Sequence, residues 1–224
     1  MAQKSKQWAA IIMMIALFAM IAFVTNLCSP MATIVKNQFG ASEAAGQIGN
    51  YANFIAYLVM GIPSGMLISK LGYKKTALAA LLVGLAGIVL EYLSGVMGSY
   101  WVYLGGAFIS GLCMCMLNTV VNPLLNVLGG GGKTGNQLIQ IGGAFNSAAA
   151  VAVYIMMGAL IGEVTKDTGI SDATPALIIA GAIFAVAFII LLFTKIEEPE
   201  QAPVELKLIT GALSFRHFAL GALA

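Results

Sequence analysis

Amide side chains recur at helical spacing within one apolar stretch in the middle of the sequence. Gly111, Cys115, Asn118, Asn122 and Asn126 follow one another at intervals of three or four residues. At about 100° per residue, this spacing predicts one narrow stripe along a helix. An amide without a partner is costly in an apolar medium, so the stripe must face other polar groups. Carboxamides both donate and accept hydrogen bonds, which suits a neutral polyhydroxylated ligand.

Polar residues, interspersed with small glycines, also recur at helical spacing in three further apolar stretches. They are Asn26, Ser29 and Thr33 in the first stretch, Gly46, Asn50, Asn53, Tyr57, Gly61 and Ser64 in the second, and Gln140, Gly143, Asn146 and Ser147 in the fifth. Such residues can act as interhelical hydrogen-bonding glue. Their occurrence in four stretches favours a shared polar cavity. The predicted substrate-binding residues are Asn26, Ser29, Asn53, Asn118, Asn122, Gln140 and Asn146.

The composition indicates that the elements holding these residues lie in a membrane. Hydrophobic residues make up 60% of the chain, charged residues 9%, and the mean hydropathy is +0.94. A soluble domain has about 45–50% apolar and about 25% charged residues. A chain of 224 residues cannot hide this much apolar surface in one core. The net charge of +2 gives no indication of a nucleic-acid partner.

Six apolar stretches are long enough to span a bilayer, which needs about 20 helical residues. They are Trp8–Val35, Gln47–Ile68, Thr76–Leu93, Tyr100–Leu128, Gln137–Ile161 and Pro175–Phe193. The predicted organisation is a cytoplasmic N-terminus (1–7), a six-helix transmembrane domain (8–194) and an acidic cytoplasmic linker (195–207). Residues 208–224 are apolar again and are predicted to begin a seventh, truncated helix. An amphipathic helix on the membrane surface is the alternative for that last segment.

The distribution of basic residues predicts the orientation. Nine of the eleven Lys and Arg residues fall on one side of the six spans, and only Lys36 and Lys166 fall on the other. Cytoplasmic loops carry the excess of basic residues. The N-terminus and the loop that follows the sixth span are therefore predicted to be cytoplasmic.

An internal repeat relates the two halves of the six-helix domain. With a shift of 93 positions, the coincident pairs are Pro30 and Pro123, Gly49 and Gly142, Asn53 and Asn146, Ala56 and Ala149, and Gly65 and Gly158. Three spans per repeat make the second copy enter the membrane from the opposite side. The predicted fold is thus an all-α membrane protein with a 3+3 inverted repeat. Chance is the alternative, because Gly and Ala are abundant here.

Charged residues are expected to be missing from the middle of every span. Glu91 and Glu163 are placed near the outer ends of the third and fifth spans, so no proton-binding carboxylate is expected in this half.

Cys28, Cys113 and Cys115 are interpreted as helix-packing residues, without metal-ligand spacing. The Gly129–Gly132 run before Lys133 lacks the pattern of a phosphate-binding loop and is interpreted as a flexible connector. No cofactor is predicted.

The segment Gly65-Met-Leu-Ile-Ser-Lys70-Leu-Gly72-Tyr-Lys74-Lys75 resembles the signature loop of the major facilitator superfamily. Asn118-Thr-Val-Val-Asn122-Pro123 and Ile62-Pro63-Ser64-Gly65 are similar to motifs of its fucose permease branch, the bacterial hexose and deoxyhexose transporters. The resemblance implies alternating access to a sugar site between this half and a missing C-terminal six-helix half, in a bacterial inner membrane. It assigns a cytoplasmic gate, with topology anchoring as the alternative for its lysines, to Gly65, Ser69, Lys70, Gly72, Lys74 and Lys75.

Three departures from the family pattern bear on mechanism. Ser69 stands where the signature loop usually has Asp, and Ser29 and Asn118 stand where the fucose permease has its Asp and Glu. Those two carboxylates carry proton coupling in that branch. Sugar transport here is therefore expected without proton coupling, with another cation, or with coupling groups in the missing half. The alternatives to a sugar carrier are a carrier of another solute class, such as amino acids or drugs, and a six-helix permease subunit. An enzyme is not expected.

Overall fold

The computed structural model describes residues 2–162, 164–196, 198 and 199. Within these residues the chain forms six long apolar helices, each able to cross a membrane by length and composition. They are α1 Ala2–Phe39, α2 Glu43–Leu71, α3 Tyr73–Met97, α4 Tyr100–Leu128, α5 Gly132–Ile161 and α6 Thr174–Phe193. The six predicted spans are confirmed, although α1 begins six residues earlier than expected and α2 and α5 begin four to five residues earlier. The predicted seventh helix, 208–224, lies outside the described residues.

Short connections force consecutive helices to run antiparallel. Gly72, at φ +84°, turns the chain directly from α2 into α3, and Gly98, at φ +60°, turns α3 toward α4. Both torsions lie in the left-handed region, where a Cβ is unfavourable. The Gly129–Gly132 connector is a tight turn, with three of its glycines at positive φ. Its amide at Gly131 bonds the Asn126 carbonyl at 2.9 Å.

The connections divide the loops between two ends of the helix bundle. We call the end with the α2–α3 and α4–α5 turns and the C-terminal end of α6 the basic face, because it holds Lys70, Lys74, Lys75 and Lys133. We call the other end the opposite face. There, Lys36 forms an exposed ion pair with Glu43, and Asn37 donates to the Thr165 carbonyl at 2.6 Å.

Helix α4 lies at the centre of the bundle and packs against α3, α2 and α1. The densest contact joins α3 to α4, while α1 packs mainly against α5. Helices α2 and α5 have few buried residues and leave broad faces open, including the exposed side chains of Phe54, Leu58, Phe145 and Tyr154. Two walls of the bundle are thus uncovered by the described part of the chain.

The packing reproduces the predicted repeat. In the repeat, α1 corresponds to α4 and α2 to α5. Accordingly, α2 packs on α4 in the same way as α5 packs on α1. A Cβ on Gly111 would lie 2.7 Å from Asn53 Oδ1, and Asn146 Nδ2 donates to the Phe18 carbonyl at 2.7 Å. Phe18 and Gly111 are 93 positions apart, as are Asn53 and Asn146. The same pair of contacts therefore occurs in both halves, which supports a 3+3 inverted repeat over chance coincidence.

Candidate substrate site

Five polar residues join α2 to α4 in what we call the amide cluster: Tyr57, Ser64, Asn118, Thr119 and Asn122. Asn118 Nδ2 donates to the Tyr57 hydroxyl at 2.8 Å, and Asn122 Nδ2 donates to the Asn118 carbonyl at 3.2 Å. The hydroxyls of Ser64 and Thr119 lie 2.9 Å apart. The predicted stripe on α4 thus meets the predicted stripe on α2, and both lie at the same interface.

The amide cluster has carboxamide oxygens that are free to accept hydrogen bonds from a ligand. Its bonds use the amide nitrogens of Asn118 and Asn122, and neither carboxamide oxygen receives a donor from the described residues. Both side chains are half-buried rather than sealed in the core. An incoming hydroxyl could therefore donate to either oxygen without breaking an existing bond.

The predicted site residues on α1 and α5 lie in other surroundings. On α1, Asn26 Nδ2 donates to the Ala22 carbonyl at 2.8 Å, and Ser29 is exposed one turn further along. On α5, Asn146 is half-buried and donates a hydrogen bond to the Phe18 carbonyl, whereas Gln140 is exposed. Gln140 lines an open depression with Lys133, Asn136, Gln137 and Ile141 near the basic face.

Asn53 lies deeper than the other predicted residues. Its side chain is 3% exposed and donates to Cys28 Sγ at 3.3 Å, which joins α2 to α1. Its carboxamide oxygen has no hydrogen-bond partner in the described structure. Asn53 is therefore buried between helices, one turn before Tyr57 on α2. It differs in this from Asn118 and Asn122, which are half-buried.

The predicted gate loop is held by the linker. Glu198 accepts hydrogen bonds from the backbone amides of Tyr73, at 2.8 Å, and Lys74, at 3.0 Å. These are free N–H groups at the start of α3, where a carboxylate is favoured. Lys74 Nζ also donates to the carbonyls of Leu192 and Thr194 at the end of α6. Glu198 thus brings a carboxylate to a loop that has Ser69 where the family pattern has Asp.

The other gate residues line the same turn in different ways. Lys70 and Lys75 are exposed, and Ser69 is half-buried. A Cβ on Gly65 would meet open space, whereas a Cβ on Gly72 would collide with the Glu198 carboxylate. The positive φ of Gly72 favours glycine at that position, and the Glu198 carboxylate lies close to it, whereas the structure gives no such reason for glycine at 65.

Glu91 lies six residues before the end of α3, and its side chain is buried among the helices. Glu91 is 4% exposed and accepts a hydrogen bond from Ser110 Oγ at 3.0 Å. It fits because α3 and α4 approach closely: a Cβ on Gly106 would lie 2.8 Å from Glu91 Cγ. Position along α3 suggested an interfacial residue, but the rotation of the helix turns this side chain toward α4.

Sequence reasoning placed Tyr57 and Ser64 on the stripe of α2 without assigning them to the site. Their partners depend on how α2 is rotated against α4, which the spacing alone does not give. Ser64 pairs with Thr119, which follows Asn118 directly in the sequence. The sequence shows only that a hydroxyl lies beside the stripe, and it does not show which residue that hydroxyl contacts. No pattern in the linker singled out Glu198 among its four glutamates.

Comparison with known proteins agrees with this architecture. The chain matches the Major Facilitator Superfamily over residues 12–222. It is 26% identical over 214 residues to a glucose/galactose transporter of Brucella abortus, covering 92% of this chain and 52% of that protein. It is 27% identical over 232 aligned positions to a putative glucose/galactose transporter of Helicobacter pylori, covering 99% of this chain and 56% of the relative.

The fold also matches the crystal structure of the Escherichia coli fucose:proton symporter. The TM-score is 0.75 at 20% sequence identity, covering 96% of this chain and 57% of that chain. The chain spans about half the length of the curated relatives it matches. The resemblance drawn from the signature loop and from α4 is confirmed, and the chain is a multi-pass membrane protein that belongs to the major facilitator superfamily.

Proposed function

We propose that this chain forms one wall of a transporter for a neutral sugar, most simply a hexose or deoxyhexose. The amide cluster carries the proposal, because it offers free carboxamide oxygens beside donors on two facing helices. Sugar hydroxyls both donate and accept, whereas a charged solute needs a counter-charge. None of the five cluster residues is charged. The names of the glucose/galactose transporters to which the chain is similar support the same substrate class.

Asn118 and Asn122 are the primary substrate contacts in this proposal, and Tyr57 positions the first of them. Ser29 and Gln140 contribute from their exposed positions on α1 and α5. Asn53 and Asn146 act mainly by holding α2 and α5 against α1, because each donates its amide to a residue of that helix. Asn26 donates to the Ala22 carbonyl of its own helix.

A second six-helix half completes the site in this proposal. It would pack on the open faces of α2 and α5, whose exposed aromatic and aliphatic side chains otherwise have no cover in the described chain. The two halves would then rock about the sugar and open it to either side in turn. Such a carrier must bind sugar with similar strength in both states, since a strong preference would trap it.

The same proposal places the N-terminus in the cytoplasm of a bacterium and the chain in its inner membrane. Nine of eleven basic residues support this orientation. The loop between α2 and α3 would then form a cytoplasmic gate, locked by Glu198 at the start of α3 and by Lys74 at the end of α6. Lys70 and Lys75, which are exposed, are available to contact the second half.

Uptake by the full-length natural protein in proteoliposomes tests the proposal. Labelled glucose, galactose and fucose are offered separately, with an amino acid and a cationic drug as other solute classes. The expected result is saturable uptake of at least one sugar, weakened by Asn118→Ala and unaffected by Asn50→Ala. Asn50 is a matched control, since its amide bonds only Gln47 one turn away. Uptake of the amino acid or drug without any sugar contradicts the proposal.

A further inference from the structure

Glu91 is a buried carboxyl group without a cationic partner. Its side chain is 4% exposed, and it accepts a hydrogen bond from Ser110 Oγ at 3.0 Å. The single ion pair among the described residues joins Lys36 to Glu43 at the opposite face, so Glu91 has no compensating charge. An ionised carboxylate in such surroundings is strongly disfavoured, and a group of this kind holds a proton unless its surroundings change.

No basic residue in the described part of the chain lies within ion-pairing distance of Glu91. The nearest loop with charged residues follows α5: its Ile170 packs against Gly95, one turn from Glu91, and it carries Lys166, Asp167 and Asp172. Tyr103 of α4 and Cys28 of α1 are also buried, and because a tyrosine or cysteine side chain is never positively charged, neither can compensate a carboxylate at Glu91. Helix α6 contains no ionisable residue between Thr174 and Phe193. On α3 itself, Tyr92 is half-exposed and the two lysines lie at the other end of the helix.

Glu91 belongs to a buried polar group that reaches toward the amide cluster. Ser110 and Gly111 are consecutive on α4; the first contacts Glu91, and the second lies against Asn53 of α2. Asn53 has an unpartnered carboxamide oxygen and is one turn from Tyr57. Ser110 and Asn118 are eight residues apart on one helix, about 12 Å. A shift of α4 against α3 therefore moves the amide cluster as well.

We propose that Glu91 is a proton-binding site whose loading and release are coupled to sugar transport. The step is a proton exchange between water and a Glu91 carboxyl oxygen, in which one O–H bond forms or breaks and no electron is transferred. With the proton bound, the carboxyl group is neutral and α3 can close on α4. Release leaves a bare charge beside Ser110, which requires water to enter and the two helices to separate. The coupling part of this inference rests on the proposed sugar transport.

Infrared difference spectroscopy tests proton binding without any transport. The purified full-length protein is titrated between about pH 5 and about pH 9, a range that lies above the ordinary pKa of an exposed carboxyl group, so that exposed carboxyl groups are already largely ionised. We expect a carboxylic C=O band that persists above neutral pH in the natural protein and is missing from Glu91→Gln. Glu43→Gln, which removes an exposed carboxylate, should keep the band. A spectrum without such a band, or one that Glu91→Gln leaves unchanged, overturns the proton site.

Proteoliposomes then test the coupling. Sugar uptake by the natural protein should fall about tenfold over two pH units above its optimum, whereas Glu91→Gln should change by less than about twofold. Sugar-driven proton entry should be lost in Glu91→Gln, while exchange of labelled for unlabelled sugar persists. Retained exchange shows that the variant folds and binds sugar. Proton entry that survives in Glu91→Gln overturns the coupling, and failure of all sugar exchange in the natural protein overturns the proposed function instead.

Discussion

Replacing Asn118 by Ala in the full-length protein removes the half-buried carboxamide whose oxygen has no partner in the described structure. One neutral hydrogen bond to a ligand contributes about 1 kcal/mol, which corresponds to a rise of about fivefold in the KM for sugar. Tyr57→Phe removes the hydroxyl that accepts from Asn118 at 2.8 Å. Interhelical hydrogen bonds in membranes average about 0.6 kcal/mol, so that change should raise KM about threefold.

The two substitutions together test whether Tyr57 acts through Asn118. If its hydroxyl only positions the carboxamide, the double variant should bind sugar no more weakly than Asn118→Ala alone. Initial uptake rates in proteoliposomes, measured across sugar concentration, give the three KM values. Asn50→Ala controls for loss of an amide outside the cluster. Fully additive effects, about fifteenfold in the double variant, would refute the positioning role, and no effect of Asn118→Ala would refute the substrate contact.

Three further predictions concern stability and orientation. Gly111→Ala should lower the detergent melting temperature, because overpacking against α2 costs about 1–3 kcal/mol; Gly61→Ala, which meets open space, should not. Glu198→Gln should lower the melting temperature slightly, since a carboxylate at a helix N-terminus contributes about 0.3–1 kcal/mol, and an unchanged value would count against the cap. A membrane-impermeant maleimide should label Lys36→Cys in intact cells but Lys70→Cys only after permeabilisation; the reverse pattern would invert the proposed topology.

The helical architecture was predictable because hydrocarbon imposes simple constraints on sequence. Backbone groups in a bilayer must be hydrogen-bonded within the protein, and a single apolar run of about 20 residues satisfies this by forming a helix. The spans therefore fell within a few residues of α1 to α6, and alternating short connections fixed their antiparallel order. The repeat was visible because Asn53 and Asn146 occupy equivalent contacts on α2 and α5.

The partners of individual side chains were not predictable, because they depend on the rotation and approach of whole helices. Helical spacing put Asn53 and Asn118 on stripes of similar appearance, yet one is sealed against Cys28 and the other bonds Tyr57 at a half-buried position. Glu91 was expected at an interface from its distance to the end of α3. Its burial follows from the close approach of α3 and α4 at Gly106, a feature that spacing along one helix does not encode.

The predicted gate loop shows the same limit: its turn was predictable from the sequence, but its long-range contact was not. The signature loop identified the turn at Gly72, and its φ of +84° is the backbone geometry that favours glycine. The carboxylate at this loop comes from Glu198, more than 120 residues away in sequence. Because that contact is long-range, the change to Ser69 looked like a loss of charge from the loop, whereas the structure supplies the carboxylate from the linker.

Sugar binding at the amide cluster is the central claim, and equilibrium binding of labelled galactose and glucose to the purified full-length protein tests it most directly. The account predicts saturable binding of a sugar, at least about fivefold weaker in Asn118→Ala and unchanged in Asn50→Ala. Equal binding in all three proteins, or binding of no sugar by a folded natural protein, would contradict it.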